Sequence, residues 1–336
     1  MVGPVRVGVV GTGGMGERHA RIVADRLRDT RLAAVTDPDR DRAERVAAPT
    51  GATVYADAEA LIAADGVDAV IVASPDATHA ALALACIDHR KPALIEKPLA
   101  TTLETCERIM EAEQAVGRRL LQLGFMREFD PAHIDLRNAL TAGVVGAPLL
   151  LRGWHRNPPS PEPPTSWEVL RGAAVHDIYS ARWILDQEVT EIHVRGCEIH
   201  PGRSAGRDLQ LLTMGMSRDA IASLEINKDM GWGYEVGVEV TGSTGLIATP
   251  PADTPVVRSD GGVGQRAHAD WFERFDAAYV AELTAWSRSI VDGRPRGANA
   301  YDGYATLAVA LHGLDALESG RTVPIGLEPP RPLYRR

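Results

Sequence analysis

The 336 residues, 45% hydrophobic and 24% charged, have the length of two globular domains and a composition that excludes a disordered, collagen-like or membrane-embedded chain. Lys and Arg number 36 against 45 Asp and Glu, a formal charge of -9 that makes nucleic acid a poor partner. Three scattered cysteines without a CxxC pair exclude a disulfide framework and a structural zinc site.

The opening MVGPVRVGVV has no leader-like succession of basic, apolar and cleavage-site residues, and no apolar run is long enough to span a bilayer. A soluble cytoplasmic protein is expected. A valine-rich strand at Val5–Val10 leads into Gly11-Thr12-Gly13-Gly14-Met15-Gly16 and a helix over 17–27. Apolar runs at 32–36, 69–73, 93–95 and 120–124 then alternate with helical segments at 39–48, 57–64, 78–88 and 102–116. Short apolar strands separated by helices predict a parallel sheet covered on both faces, and right-handed crossovers make it a doubly wound α/β domain.

The glycine cluster sits between a strand and a helix, the context in which GxGxxG predicts dinucleotide binding. Gly11 permits the tight turn, Gly13 the approach of a pyrophosphate and Gly16 close packing of helix on strand. Thr12, Gly14 and Met15 complete the loop, and the free N–H groups at the helix start face the anion. Asp37 ends the second strand 21 residues after Gly16, where it can accept hydrogen bonds from ribose hydroxyls. It favours NAD over NADP, because a carboxylate repels a 2′-phosphate. Arg40 and Arg42 leave some room for NADP. Ser74-Pro75 and Glu96-Lys97-Pro98 follow strands at the same carboxyl edge, where a nicotinamide would lie. Pro75 can pack on its ring, and Ser74, His79 and Glu96 are further candidate cofactor contacts. Lys97 can stabilise alkoxide-like charge on a reacting oxygen, or simply pair with Glu96.

After Gly124 the pattern changes. A helix over 131–142 and a strand at 149–152 precede an irregular, proline-rich loop over 155–164. A helix at 175–185 is followed by strands at 189–198, 207–214, 220–229, 234–241 and 245–248, and by a loop over 251–268. Helices at 271–291 and 301–318 lead to a proline-rich tail. Helices followed by a run of strands predict an α+β domain on a large, mostly antiparallel open sheet. The expected boundaries are 1–123, 124–328 and a tail at 329–336. His176, Tyr179 and Trp183 fall near one helix face. Histidine suits removal of a hydroxyl proton near neutral pH, although one at a helix start can equally cap or pair locally. No second histidine lies three or four residues away, and no metal is expected.

Beyond the glycine turn and Glu96-Lys97-Pro98 come Gly124-Phe125-Met126-Arg127-Glu128-Phe129-Asp130-Pro131 and Leu151-Arg152-Gly153-Trp154-His155-Arg156-Asn157-Pro158. Val175-His176-Asp177, Gly233-Tyr234 and Asn299-Ala300-Tyr301-Asp302-Gly303-Tyr304 follow. Together they resemble the Gfo/Idh/MocA oxidoreductases over essentially the whole chain, and the inositol dehydrogenase branch in particular. The resemblance implies an N-terminal Rossmann NAD-binding domain, a C-terminal substrate-binding domain whose open sheet builds a homotetramer, and an active site between them. It implies NAD-dependent oxidation of a secondary hydroxyl on a cyclitol, reversible as ketone reduction. Lys97 matches the active-site lysine and His176 the catalytic histidine. Arg127, His155, Tyr234 and Trp271 match positions lining the polyol pocket, with Met126 beside them.

Two departures stand out. Gly172 replaces a family aspartate four residues before His176, and Tyr179 replaces a second aspartate that binds substrate hydroxyls. The first removes a carboxylate that would orient Lys97 and His176; the second exchanges two strong acceptors for one phenol and an apolar face. Asp177 neighbours His176, but its spacing directs it elsewhere on the helix. These departures raise two alternatives. One is a dehydrogenase or ketoreductase for a substituted sugar, glycoside or aminocyclitol entering beside Gly172 and Tyr179. The other is a non-catalytic NAD-binding regulatory protein.

Overall fold

The computed structural model describes residues 3–202, 205–250 and 254–335. Val5–Val10 (β1) pairs in parallel on both edges, with Thr30–Thr36 (β2) and Ala69–Val72 (β4). A strand so placed has helices over both faces, so its run is apolar throughout. Thr53–Val54 (β3) extends the sheet beyond β2, and Ala93–Ile95 (β5) and Leu121–Leu123 (β6) extend it beyond β4. The order β3-β2-β1-β4-β5-β6 reverses direction at β1, the place where open α/β sheets bind ligands.

The crossovers are Gly14–Asp25 (α1), Arg40–Ala47 (α2), Ala58–Ala63 (α3), Asp76–Asp88 (α4) and Leu103–Val116 (α5). Asp39, Asp57 and Thr102 fix three of these starts, each side chain accepting from an amide in the first turn. The α4 helix begins earlier than the 78–88 expected, directly after Pro75.

A 3₁₀ turn at Met126–Phe129 leads to Pro131–Thr141 (α6), capped by Asp130. Pro148–Arg156 (β7) is longer than expected and carries His155 and Arg156 within the strand, not in the following loop. Ser166–Val169 (α7) starts with a reciprocal Thr165–Glu168 capping box, passes through a π turn at Leu170–Ala174 and continues as Val175–Leu185 (α8). The remaining strands are Val189–Cys197 (β8), Leu209–Met216 (β9), Ile221–Asn227 (β10), Glu235–Gly242 (β11) and Leu246–Ala248 (β12). Val256–Ser259 (β13) and Gly262–Gln265 (β14) form a hairpin within the expected 251–268 loop, of which 251–253 lie outside the described residues. Trp271–Asp292 (α9), which leaves helical geometry at Phe275, Ala300–Ser319 (α10), Val323–Pro324 (β15) and a 3₁₀ turn at Pro332–Tyr334 follow.

The second sheet runs β12-β11-β7-β10-β9-β8-β15, antiparallel except between β7 and β10. Along β9, Gln210, Leu212, Met214 and Met216 are buried while Leu211 and Thr213 are exposed, the alternation of a sheet covered on one face. A single cut after 123 does not describe the packing. One unit comprises Met1–Met126, Tyr279–Leu307 and Pro329–Arg336; the other comprises Arg127–Ala278 and Ala308–Glu328. The α9 and α10 helices are therefore each divided between units, and the tail returns to the first. Among the described residues no helix is long and apolar enough to cross a membrane.

Candidate active site

In the first unit the glycine turn is fixed by close approach. Gly11 has φ +84°, and a Cβ there would lie 2.7 Å from the Ser74 backbone. A Cβ on Gly16 would lie 1.8 Å from the Gly11 carbonyl oxygen. Above Gly13 and Gly14 there is room: beyond their chain neighbours and the helix backbone, only Arg42 Nη1 comes within 4 Å of a Cβ built there, at 3.9 Å from that of Gly13. Gly13 is the N-cap of α1, and no side chain caps its amides. The turn thus combines a dipole, outward N–H groups and space, which fits the pyrophosphate of a dinucleotide.

Asp37 stands at the end of β2 beside this turn. Its Oδ2 accepts from the Thr12 amide at 2.7 Å and the Thr12 hydroxyl at 3.1 Å, and its Oδ1 accepts from the Asp39 amide at 2.9 Å. Burial alone raises its pKa, but those amides and the hydroxyl bring it below the usual carboxylate range. Asp37 therefore buttresses the glycine turn as an anion. A carboxylate has acceptor capacity beyond these three bonds, which suits the ribose contact expected of it.

At the ends of β4 and β5, Pro75 is exposed and Ser74 Oγ lies 2.6 Å from Thr78 Oγ1. His79 is buried, its Nε2 2.8 Å from the Ser74 carbonyl oxygen and its Nδ1 2.7 Å from that of Pro98. Glu96 is also buried, with Oε1 at 2.8 Å from His19 Nε2 and Oε2 accepting from the Lys97 amide at 3.3 Å. Burial pushes the Glu96 pKa up, but His19, Lys97 and His79 together hold it below the normal range. Sequence spacing gave no reason to single out His19, because it occupies an inward position of α1 like any core residue.

The second unit gathers three of the expected polyol contacts around a fourth residue. Arg127, His155, Asp177 and Tyr234 are all at most 3% exposed. Arg127 donates to Asp177 Oδ1 at 2.5 Å, and His155 Nδ1 lies 2.8 Å from Asp177 Oδ2. The Tyr234 hydroxyl is 3.2 Å from His155 Nε2. An ionised Asp177 accepts a hydrogen bond from the Nδ1–H of His155, leaving Nε2 to accept from Tyr234. Burial raises the Asp177 pKa, but Arg127 and His155 outweigh it and hold the carboxyl below its usual range. Burial pushes His155 down and Tyr234 up to about 12. The role of Asp177 as the shared partner of Arg127 and His155 was not legible, because those residues lie 50 and 22 positions away.

His176 is buried in the first turn of α8, and its carbonyl accepts from Ser180 Oγ at 2.8 Å. Tyr179 is buried and donates its hydroxyl to the Glu128 carboxylate, so the phenol is held by the 3₁₀ turn that also carries Arg127 and Met126. Gly172 lies in the π turn, and a Cβ there would meet nothing within 4 Å. Trp271, 39% exposed, packs on Phe272 with ring centroids 5.0 Å apart and stands outside the Asp177 cluster. Tyr234 borders a cavity of about 220 Å³ with Trp232, Arg266, His268 and Arg274. Among the described residues no group of three or more His, Cys, Asp or Glu is arranged to hold a metal ion.

Two family models match successive parts of the chain. The model of the oxidoreductase family GFO_IDH_MocA, NAD-binding Rossmann fold, matches residues 5–125, and the GFO/IDH/MocA C-terminal domain matches residues 133–248. The chain is 45% identical to inositol 2-dehydrogenase of Rubrobacter xylanophilus, over 99% of this chain and 96% of that protein. It is 41% identical to inositol 2-dehydrogenase 1 of Saccharopolyspora erythraea, over 98% and 99%. Myo-inositol dehydrogenase from Lactobacillus casei, solved in complex with NAD(H) and myo-inositol, superposes with a TM-score of 0.95 at 31% identity, covering 99% of this chain and all of that one.

Proposed function

The chain belongs to the GFO/IDH/MocA oxidoreductase family, and on that premise we propose that it is an NAD-dependent dehydrogenase oxidising a secondary hydroxyl of a cyclitol, as an inositol 2-dehydrogenase does. The observation that carries this reading is the full-length match to inositol 2-dehydrogenases. Bound NAD supplies the hydride acceptor. The chain's own residues handle binding and the proton. The open amides of the glycine turn hold the pyrophosphate and Asp37 the ribose. The His176 imidazole accepts the hydroxyl proton, and Lys97 Nζ hydrogen-bonds the same oxygen as it becomes a carbonyl. In ketone reduction His176 returns the proton while Lys97 hydrogen-bonds the carbonyl oxygen. Arg127, His155 and Tyr234 orient the polyol; Asp177, shared by Arg127 and His155, fixes the His155 ring in one tautomer, while burial keeps it neutral.

By the same reading the enzyme works in the cytoplasm as a homotetramer built on the second unit's open sheet. Exposed Leu211 and Ile221 on neighbouring strands of that sheet support the assembly. Sedimentation at four chain masses tests it, and a monomer refutes it.

The enzymatic proposal is tested by cofactor reduction with NAD and NADP across myo-inositol, other free cyclitols and their O-substituted and amino analogues. NAD-linked turnover of a free cyclitol is expected, with kcat about 10²–10⁴-fold lower in Lys97→Ala and His176→Ala. Full turnover in both variants overturns the assigned roles. The space beside Gly172, with Tyr179 tied to Glu128, favours a second reading in which the substrate carries an additional substituent. Preference for substituted analogues in the same panel supports that reading, and preference for free inositol rejects it.

A further inference from the structure

His79 sits in the first turn of α4, and its side chain does not face open space. It is 1% exposed, and its two ring nitrogens lie 2.8 Å from the Ser74 carbonyl oxygen and 2.7 Å from the Pro98 carbonyl oxygen. Ser74 belongs to the turn after β4, where Pro75 stands, and Pro98 follows Lys97 after β5. One imidazole thus joins two adjacent loops at the carboxyl edge of the sheet. We propose that His79 is a positioning residue of the dehydrogenase, a strap that sets the Pro75 turn and the Lys97–Pro98 segment at a fixed separation. This inference rests on the proposed function only in identifying what is positioned.

The chemistry selects histidine for this place. Both partners are carbonyls, which only accept, so both contacts are hydrogen bonds only when each ring nitrogen carries a proton. Beside it, Glu96 accepts from the Lys97 amide and lies 2.8 Å from the His19 ring, so the Lys97 segment is also held from its other side. No other side chain offers two N–H groups at opposite edges of one small rigid ring. Loosening the strap leaves the glycine turn and Asp37 untouched but lets the loop bearing Lys97 drift, and a displacement of about 1 Å at a reacting group costs on the order of 10²-fold in rate.

The test uses the full chain with His79→Gln, which retains amide N–H donation on one side only, and His79→Leu, which retains no donor. Folding is checked by circular dichroism and NAD affinity by calorimetry. The expected result is NAD affinity and cyclitol KM within about threefold of the parent, with kcat lowered about 10–100-fold in His79→Leu and by less in His79→Gln. A folded His79→Leu protein with parental kcat overturns the proposal, as does a loss confined to thermal stability. Should the variants not fold, a neutron structure of the parent protein decides. Deuterons on both ring nitrogens of His79 support the strap, and a bare nitrogen on either refutes it. The neutron result is independent of turnover, so a parent protein inactive on every cyclitol sinks the proposed function without deciding the role of His79.

Discussion

Two buried histidines of the second unit are held neutral by their surroundings, and this has a consequence for pH. Burial depresses both His155 and His133 below the ordinary histidine value, despite the carboxylates of Asp177 and Asp130 beside them. In the unfolded chain each takes up a proton near pH 6.5, whereas the folded chain resists it. The unfolded state therefore binds more protons below that value. The stability these residues contribute is fully present above about pH 6.5 and is lost as pH falls through their lower folded values. Urea midpoints measured at pH 7.5 and 5.5 are expected to show a drop toward acid that is smaller in His155→Gln. An equal drop in parent and variant contradicts the assignment. The same cluster marks the limit of spacing arguments for single residues. Gly11, Gly13, Gly16 and Asp37 were recognisable because a strand, a turn and a helix fix their relations locally. Asp177 meets Arg127 and His155 only through tertiary packing.

The junction of β1 and α1 sets the tightest constraint on any element. A methyl group on Gly16 would fall 1.8 Å from the Gly11 oxygen, and no rotamer change relieves a clash between a Cβ and a backbone atom. Gly16→Ala must push the helix off its strand, and with it the amides that face the pyrophosphate. The expected cost is about 1–3 kcal/mol of stability and at least tenfold in NAD affinity, measured by chemical denaturation and calorimetry. Parental affinity in the variant would show that the turn is not the anion site. Elsewhere the element boundaries were partly legible. The β13–β14 hairpin turns at Asp260-Gly261, both with positive φ, a dipeptide that signals a two-residue hairpin and was available in the sequence. The extension of β7 was obscured because the inward position following Leu151 and Gly153 is occupied by polar His155, which pairs with Asp177 instead of packing in an apolar core.

At the scale of the whole chain, the tail is part of the first unit. Tyr334 is buried; its hydroxyl donates to Glu113 Oε2 at 2.9 Å and lies 3.2 Å from the Met110 carbonyl oxygen. Glu113 also accepts from the Leu120 and Leu121 amides at 2.6 and 2.8 Å, joining α5, the start of β6 and the tail through one carboxyl group. Tyr334→Phe is expected to lower the unfolding free energy by about 1 kcal/mol and removal of 329–336 by more, both read from thermal or denaturant melts. A truncated chain of parental stability would show that the tail contributes nothing. The sequence by itself determined the doubly wound domain, the glycine turn between its first strand and helix, and the mostly antiparallel second sheet. Those features follow from local periodicity and from residues whose backbone demands are met within a few positions. Only the tertiary structure decided that 279–307 and 329–336 pack with the first unit, that Tyr179 is held by Glu128, and that Asp177 unites Arg127 with His155. Contacts between residues far apart in sequence depend on the energy of the assembled core, and no local pattern encodes which distant partner a buried polar group will meet.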